Sequence, residues 1–256
     1  MNKKKRWELF FGFVYFLIVS FMVSLFNISY LPAALLYLGV PSLYITLNKR
    51  EIFKKTVLFS LLISIPSFFI IDYILTLSKA WAVNPTTKIY LLNLIPLDDF
   101  IWAFFFSYVV VAFYEYFIER IENKKDFSKR IKYLIYIIGG LSGLFGILYF
   151  INKDILIFEY CYLLFILGMI LIPGIGIVMN HPKLLIKLIP FSFLFLIVGI
   201  IYEFSAIKMS QWFFPGQYIG TVSVFSLSFP LEEILFFIIT PLVYILIYEY
   251  FAEGKK

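Results

Sequence analysis

The sequence predicts an all-α polytopic membrane protein: eight transmembrane helices in two parallel four-helix repeats, with both termini cytoplasmic. Three observations carry that expectation. Of the 256 residues, 62% are hydrophobic and 21% aromatic, at a mean hydropathy of +0.93, more apolar side chain than a water-soluble core encloses. The apolar residues gather in eight runs of the roughly 20-residue length that a helix needs to cross hydrocarbon. Lysine and arginine crowd alternate loops, as they do on the cytoplasmic side of membrane proteins.

The first run, 7–26, follows Lys3-Lys4-Lys5-Arg6 and is too long for the apolar region of a signal peptide. No small-x-small site closes it, so a retained helix is expected. The next runs are 30–48, with Pro41, and 56–77, with Asp72. The fourth, 97–118, opens on Pro96-Leu97-Asp98-Asp99. The fifth, 131–152, contains Gly139-Gly140, and the sixth, 155–180, contains Glu159 and Pro173-Gly174. The seventh, 184–206, carries Glu203, and the eighth, 230–251, begins Pro230-Leu231-Glu232-Glu233. Stretches such as LLFILGMILIPGIGIV do not alternate apolar with polar, which argues against a membrane β-barrel.

With the N-terminus inside, 18 of the 22 basic residues fall on the cytoplasmic side. Lys49, Arg50, Lys54, Lys55, Arg120, Lys124, Lys125, Lys129, Arg130, Lys132, Lys183, Lys187, Lys255 and Lys256 are among them, and only Lys79, Lys88, Lys153 and Lys208 face out. The net charge of +6 is therefore a topology signal. The basic clusters are short and flank helices, so membrane lipid is the expected partner and nucleic acid is not.

A single cysteine, Cys161, excludes an intrachain disulfide and a cysteine metal cluster. The one histidine, His181, is expected in a cytoplasmic turn, which removes His-rich metal sites and argues against Ser-His-Asp chemistry. With no G-x-G-x-x-G fingerprint either, neither a metal nor a cofactor is expected. Chemistry has to rest on carboxylates, aromatic rings and the shape of an apolar cavity.

Residues 95–117 align without a gap on 229–251. Pro96-Leu97 falls on Pro230-Leu231, Asp98-Asp99 on Glu232-Glu233, and Tyr114-Glu115-Tyr116-Phe117 on the identical Tyr248-Glu249-Tyr250-Phe251. Upstream, Asp72 precedes Trp81 by nine residues, as Glu203 precedes Trp212, and Pro41 and Pro173 sit 31 and 30 residues before those acids. The chain then divides into an extra N-terminal helix (1–29), a first repeat (30–130) and a second repeat with its leading helix (131–256). An even number of spans per half places the loops 78–96 and 207–229 on one outer face, with the acidic pairs opposed across a central cavity.

An acid in the first turn of a helix is ordinarily explained by the unsatisfied N–H groups and the positive dipole end. That accounts for one carboxylate per helix. It does not account for a doublet in both repeats with a further acid, Asp72 or Glu203, on the preceding helix, and carboxylates inside a membrane are functional by default. Adjacent carboxylates in an apolar site repel when both are ionised, so one of each pair is expected to hold a proton as a Brønsted acid. Glu232 and Glu233 lie about 100° apart around a helix, so one is expected to face the cavity while the other supports it. Trp81 and Trp212 offer ring faces able to stabilise a cation. Glu115 and Glu249 are expected as interface residues beside tyrosine. Glu159, inside the sixth helix, is left between the cavity and the outer interface.

The acid closing a helix, Trp81-Ala82-Val83-Asn84-Pro85, then Pro-Leu-acid-acid with aromatics and a terminal Tyr-Glu resembles the membrane lycopene cyclases of the heterodimeric or fused, non-flavin type. The resemblance covers about 30–251. It implies a redox-neutral cyclisation: an acid protonates the terminal olefin of a ψ end group, the tertiary cation is attacked by the neighbouring double bond, and loss of a proton leaves an ionone ring. It also implies a lycopene-like substrate taken from the lipid phase, no cofactor, a cell-membrane location, and association with a second copy or with other carotenoid enzymes as a compatible arrangement. Carried onto this sequence, the catalytic candidates are Asp72, Asp98, Asp99, Glu203, Glu232 and Glu233. The substrate-binding candidates are Trp81, Trp102, Trp212, Phe236 and Phe237. The usual first-half form, Pro-Leu-Glu-Glu followed by Phe-Phe, stands here in the second half, and the first half carries the shorter Asp98-Asp99.

Other classes fit less well. A membrane prenyltransferase would need Asp-rich motifs for Mg²⁺ and diphosphate, and Asp98-Asp99 has no spaced third Asp. An E-E-x3-R protease lacks its arginine after Glu233. The alternative that stays open is a proton- or cation-coupled transporter built on parallel repeats, for which Gly139-Gly140 and Pro173-Gly174 are the only helix-break signals.

Overall fold

The computed structural model describes residues 3–119, 127–180, 182–224 and 227–254; His181, Arg120, Lys124, Lys125, Lys255 and Lys256, invoked above, lie outside the described residues. Among the described residues, eight helices are long and apolar enough to cross a membrane. They are α1 (Lys3–Phe26), α2 (Tyr30–Asn48), α3 (Arg50–Leu77), α4 (Leu97–Ile118), α5 (Ile131–Leu156), α6 (Cys161–Met179), α7 (Leu188–Lys208) and α8 (Leu231–Glu253). The chain is an all-α, multi-pass membrane protein.

Three helix ends differ from the sequence expectation. A 3-10 turn at Arg50–Ile52 runs straight into α3, so the helix starts six residues before position 56. At the far end of α5, Lys153–Leu156 adds a 3-10 turn, with Asn152 Oδ1 accepting from Asp154 N at 2.9 Å. Ile157 then turns extended, and Tyr160, with a left-handed φ of 50°, leads into α6 at Cys161. Glu159 is thereby an exposed turn residue before α6, and it reaches neither the cavity nor the helix interior.

Prolines inside α2, α3 and α6 are absorbed by widened turns instead of breaks. A proline removes one N–H and clashes with the carbonyl four residues earlier, and a π turn takes up the mismatch. Leu35–Gly39 is such a turn just before Pro41, Ile166–Leu171 just before Pro173, and Ile63–Phe68 contains Pro66. Gly139-Gly140 lies in an unbroken helix.

The helices α4 and α8 form the enclosed centre, meeting through Phe106, Phe236 and Tyr244. α1 and α5 lie outside them with mostly exposed side chains. The loops before α4 and α8 carry short antiparallel strands. β1 (Ala82–Val83) pairs with β4 (Trp212–Phe213), which joins the two loops directly. β2 (Tyr90–Leu91) pairs with β3 (Ile95–Pro96), and β5 (Thr221–Val224) with β6 (Leu227–Pro230). Asn84 N also donates to Gln211 O at 2.7 Å, so the loops bearing Trp81 and Trp212 close together over the ends of α3, α4, α7 and α8.

Candidate functional site

Pro96 and Pro230 precede the first turns of α4 and α8 with φ −66° and −62°, the conformation that launches a helix without an amide donor. Each helix then places two acids in its first turn, and the structure gives the two members different tasks. The first points back into its own loop. Asp98 accepts from Thr86 N, Thr87 N and the Thr87 hydroxyl, and Glu232 Oε1 accepts from Ile219 N at 2.9 Å. The second, Asp99 or Glu233, turns inward. Asp98 and Glu232, expected as catalytic acids, are thus placed against their loops and do not line the cavity: one residue of helix rotates a side chain by about 100°, enough to carry it off the cavity face.

The inward acids meet the two acids from the preceding helices in a cavity of about 60 Å³. Its walls include Asp72, Asp99, Glu203 and Glu233 with Trp81, Trp102, Trp212, Phe236 and Phe237, which the sequence had named, and Tyr30, Tyr162, Phe68, Val83 and Phe214, which it had not. All four carboxyl groups are buried. Asp72 lies beside Asp99, and Glu203 faces Glu233.

The donors around the acids repeat. Trp81 Nε1 donates to Asp72 Oδ1 at 2.7 Å, and Trp212 Nε1 to Glu203 Oε1 at 2.8 Å. The nine-residue spacing lets an indole in the loop reach back to the last turns of the helix it follows. Both tryptophans, expected to bind substrate through their ring faces, thus also fix an acid by their N–H. The Tyr162 hydroxyl donates to Glu233 Oε1 at 2.8 Å, and Tyr30 lies beside Asp99. Rings interlock crosswise: Trp81 packs edge-on to Tyr162 at 5.4 Å, and Trp212 edge-on to Tyr30 at 5.7 Å. Each loop tryptophan from one half of the sequence therefore buttresses the tyrosine that attends an acid in the other half.

Those tyrosines carried a signal that the sequence reading passed over. Tyr30 precedes Pro41 by 11 residues and Tyr162 precedes Pro173 by 11. The spacing was masked because tyrosine is common here, at 19 residues.

Asp72 Oδ2, both Asp99 oxygens, Glu203 Oε2 and Trp102 Nε1 are buried with no hydrogen-bond partner among the described residues. Among the described residues, no lysine or arginine forms an ion pair with any of the four inward acids. No group of three or more His, Cys, Asp or Glu among the described residues is placed to hold a metal ion. The chamber thus holds carboxyl oxygens between ring faces, with Asp72, Glu203 and Glu233 each tied by a donor from Trp81, Trp212 or Tyr162. Outside the helices, Tyr218 ties the Trp81 and Trp212 loops into a lid over the helix ends: its hydroxyl donates to Ala80 O at 2.6 Å and accepts from Gly216 N at 2.9 Å. Burial pushes that hydroxyl up to about 12, so it remains a donor across the working pH range.

Glu115 and Glu249, expected at the membrane interface, are instead fully enclosed at the other ends of α4 and α8. Lys49 Nζ donates to Glu115 O at 2.9 Å and lies 3.5 Å from Glu115 Oε2. The Tyr114 hydroxyl donates to Glu119 Oε2 at 2.8 Å, and Lys55 pairs with Glu253. Each Tyr-Glu-Tyr-Phe segment is a widened π turn, which swings these carboxylates between the helices.

No family model, no curated protein and no solved structure matches this chain. The fold and site define a class, a multi-pass helical membrane protein with a buried carboxyl chamber.

Proposed function

We propose that the chain is a carotenoid cyclase of a cell membrane, built as two parallel repeats with both termini cytoplasmic, that closes a lycopene-type ψ end group into an ionone ring without net redox change. The observation that carries this reading is the chamber of four carboxyl groups, walled by aromatic rings and free of lysine and arginine partners among the described residues. Acid-initiated cyclisation needs those parts. One carboxyl adds its proton to the terminal double bond, leaving a tertiary cation. The neighbouring double bond attacks that centre, forming the ring bond and moving the positive charge to the next tertiary carbon. A second carboxylate removes a proton beside that carbon, restoring a double bond, so the proton count is unchanged. Water would quench the cation, and ring faces stabilise it without forming a bond.

Within the chamber, Glu233 with Tyr162 is assigned the donor role and Asp99 with Tyr30 the acceptor role, because glutamate reaches one methylene farther into the cavity. Asp72 and Glu203 are positioning residues, each held by its tryptophan. The chain is to be expressed in a host that accumulates lycopene and the pigments separated. Cyclic carotenoid is expected from the wild-type chain and none from Glu233→Gln. Unchanged lycopene together with a measurable proton-coupled flux would replace this reading by the transporter alternative.

A further inference from the structure

Beside the acid chamber runs a second, larger cavity of about 340 Å³ between α1, α2, α4 and α7. Its size lies in the range of small-molecule sites, and its lining is almost wholly apolar. Two of the tyrosines that line it turn their hydroxyls to other partners: Tyr15 donates to Leu36 O at 2.7 Å, and Tyr37 shares a 2.8 Å bond with Ser205 Oγ. The buried Tyr202 hydroxyl makes no hydrogen bond to the described residues, and the rest of the groove is mostly ring faces and aliphatic side chains. Its one carboxylate, Glu8, already accepts from the Tyr116 hydroxyl at 3.1 Å. The groove and the acid chamber meet at Phe237, which lines both. Phe237 sits there because residue 199 is glycine: a Cβ at that position would collide with the Phe237 ring.

We infer that this groove seats the unreacted polyene chain of the substrate, and that Phe237 marks the point where the end group passes into the acid chamber. The inference rests on the cyclase reading for the identity of the occupant. The shared wall at Phe237 argues for a chain whose end reacts in the chamber, and the almost wholly apolar lining argues for a hydrocarbon. From Leu194 to Tyr202 the groove follows α7 for about 12 Å at 1.5 Å per residue. A lycopene-length chain is much longer. Only the part next to the reacting end is held, and the rest lies in lipid.

The test reads binding instead of turnover. The purified protein in phospholipid nanodiscs is titrated with all-trans lycopene and the induced circular dichroism of the polyene is followed. Gly12 lines the groove, and a Cβ added there would meet nothing within 4 Å, so Gly12→Leu and Gly12→Trp add bulk at the groove wall without a clash at Cβ. Gly146, on α5 and equally unobstructed, lies away from the groove and serves as the control in Gly146→Trp. Binding is expected to weaken about tenfold in Gly12→Trp, less in Gly12→Leu, and not in Gly146→Trp. Wild-type affinity in both Gly12 variants would overturn the inference, and so would a wild-type protein without an induced signal, which would leave the groove to lipid acyl chains. Cyclic product in the lycopene-accumulating host with full binding by Gly12→Trp would remove the groove and keep the cyclase. Groove-dependent binding with no cyclic product would do the reverse.

Discussion

At the scale of single residues, adjacent acids with equal-looking roles diverge. Glu232 and Glu233 are neighbours in sequence, yet one caps a loop through Ile219 N and the other faces the cavity beside Tyr162. Glu233→Gln keeps size and hydrogen bonding but removes the acid, so cyclic product should vanish while the protein still accumulates. Glu232→Gln should retain activity and lose roughly 1 kcal/mol of stability, the difference between a charged and a neutral acceptor for one backbone donor; thermal unfolding in detergent checks it. Equal loss of product in both would end the division between cap and acid. Chain length gives a second comparison. Shortening Glu233 to Asp moves its oxygens by more than the hydrogen-bond tolerance of a general acid, so product should fall at least about tenfold. Asp99→Glu should be tolerated, and comparable losses in the two variants would show that donor and acceptor roles are shared.

At the scale of elements, the π turns at the ends of α4 and α8 decide where Glu115, Glu249 and Glu253 point. Glu115 is met there by Lys49, between α2 and α3, and Glu253 by Lys55 of α3. Lys55 and Glu253 are both buried, so Lys55→Met leaves a carboxylate without its ion-pair partner and should cost about 3 kcal/mol. The double variant Lys55→Met with Glu253→Gln should recover much of that loss. A single variant as stable as wild type, by denaturant or thermal unfolding, would show that the pair contributes nothing. The lid is the weaker element, held by the two-residue β1–β4 ladder and by Tyr218. Tyr218→Phe removes a bond to Ala80 O and should raise protease cleavage within 209–220 without disturbing the helices; cleavage at the wild-type rate would make Tyr218 dispensable.

At the scale of the whole molecule, the β1–β4 pairing requires the loops that bear Trp81 and Trp212 to lie on one side. Single cysteines placed at Lys88 and Gly220, in a chain whose Cys161 is replaced by alanine, should both react with a membrane-impermeant thiol reagent added outside intact cells. Labelling of one position and protection of the other would break the shared chamber.

The sequence by itself determined that the chain is helical and crosses a membrane, because length and hydropathy of each run are local properties. It also carried both acidic doublets, the Asp72–Trp81 and Glu203–Trp212 spacings and the aromatic neighbours, since these depend on positions along one helix and its adjoining loop. Which acid of a doublet faces inward could not be decided there: the side-chain direction depends on the rotation of α4 and α8, and that rotation is set by packing against each other and by the loop amides Thr86, Thr87 and Ile219. Tyr30 and Tyr162 joined the site only when α2 and α6 were laid against helices more than 60 residues away in sequence. The burial of Glu115 likewise needed a widened turn and Lys49, from the junction of α2 and α3. Tertiary structure decided these points because each is a contact between segments whose separation in sequence carries no information about their distance in space.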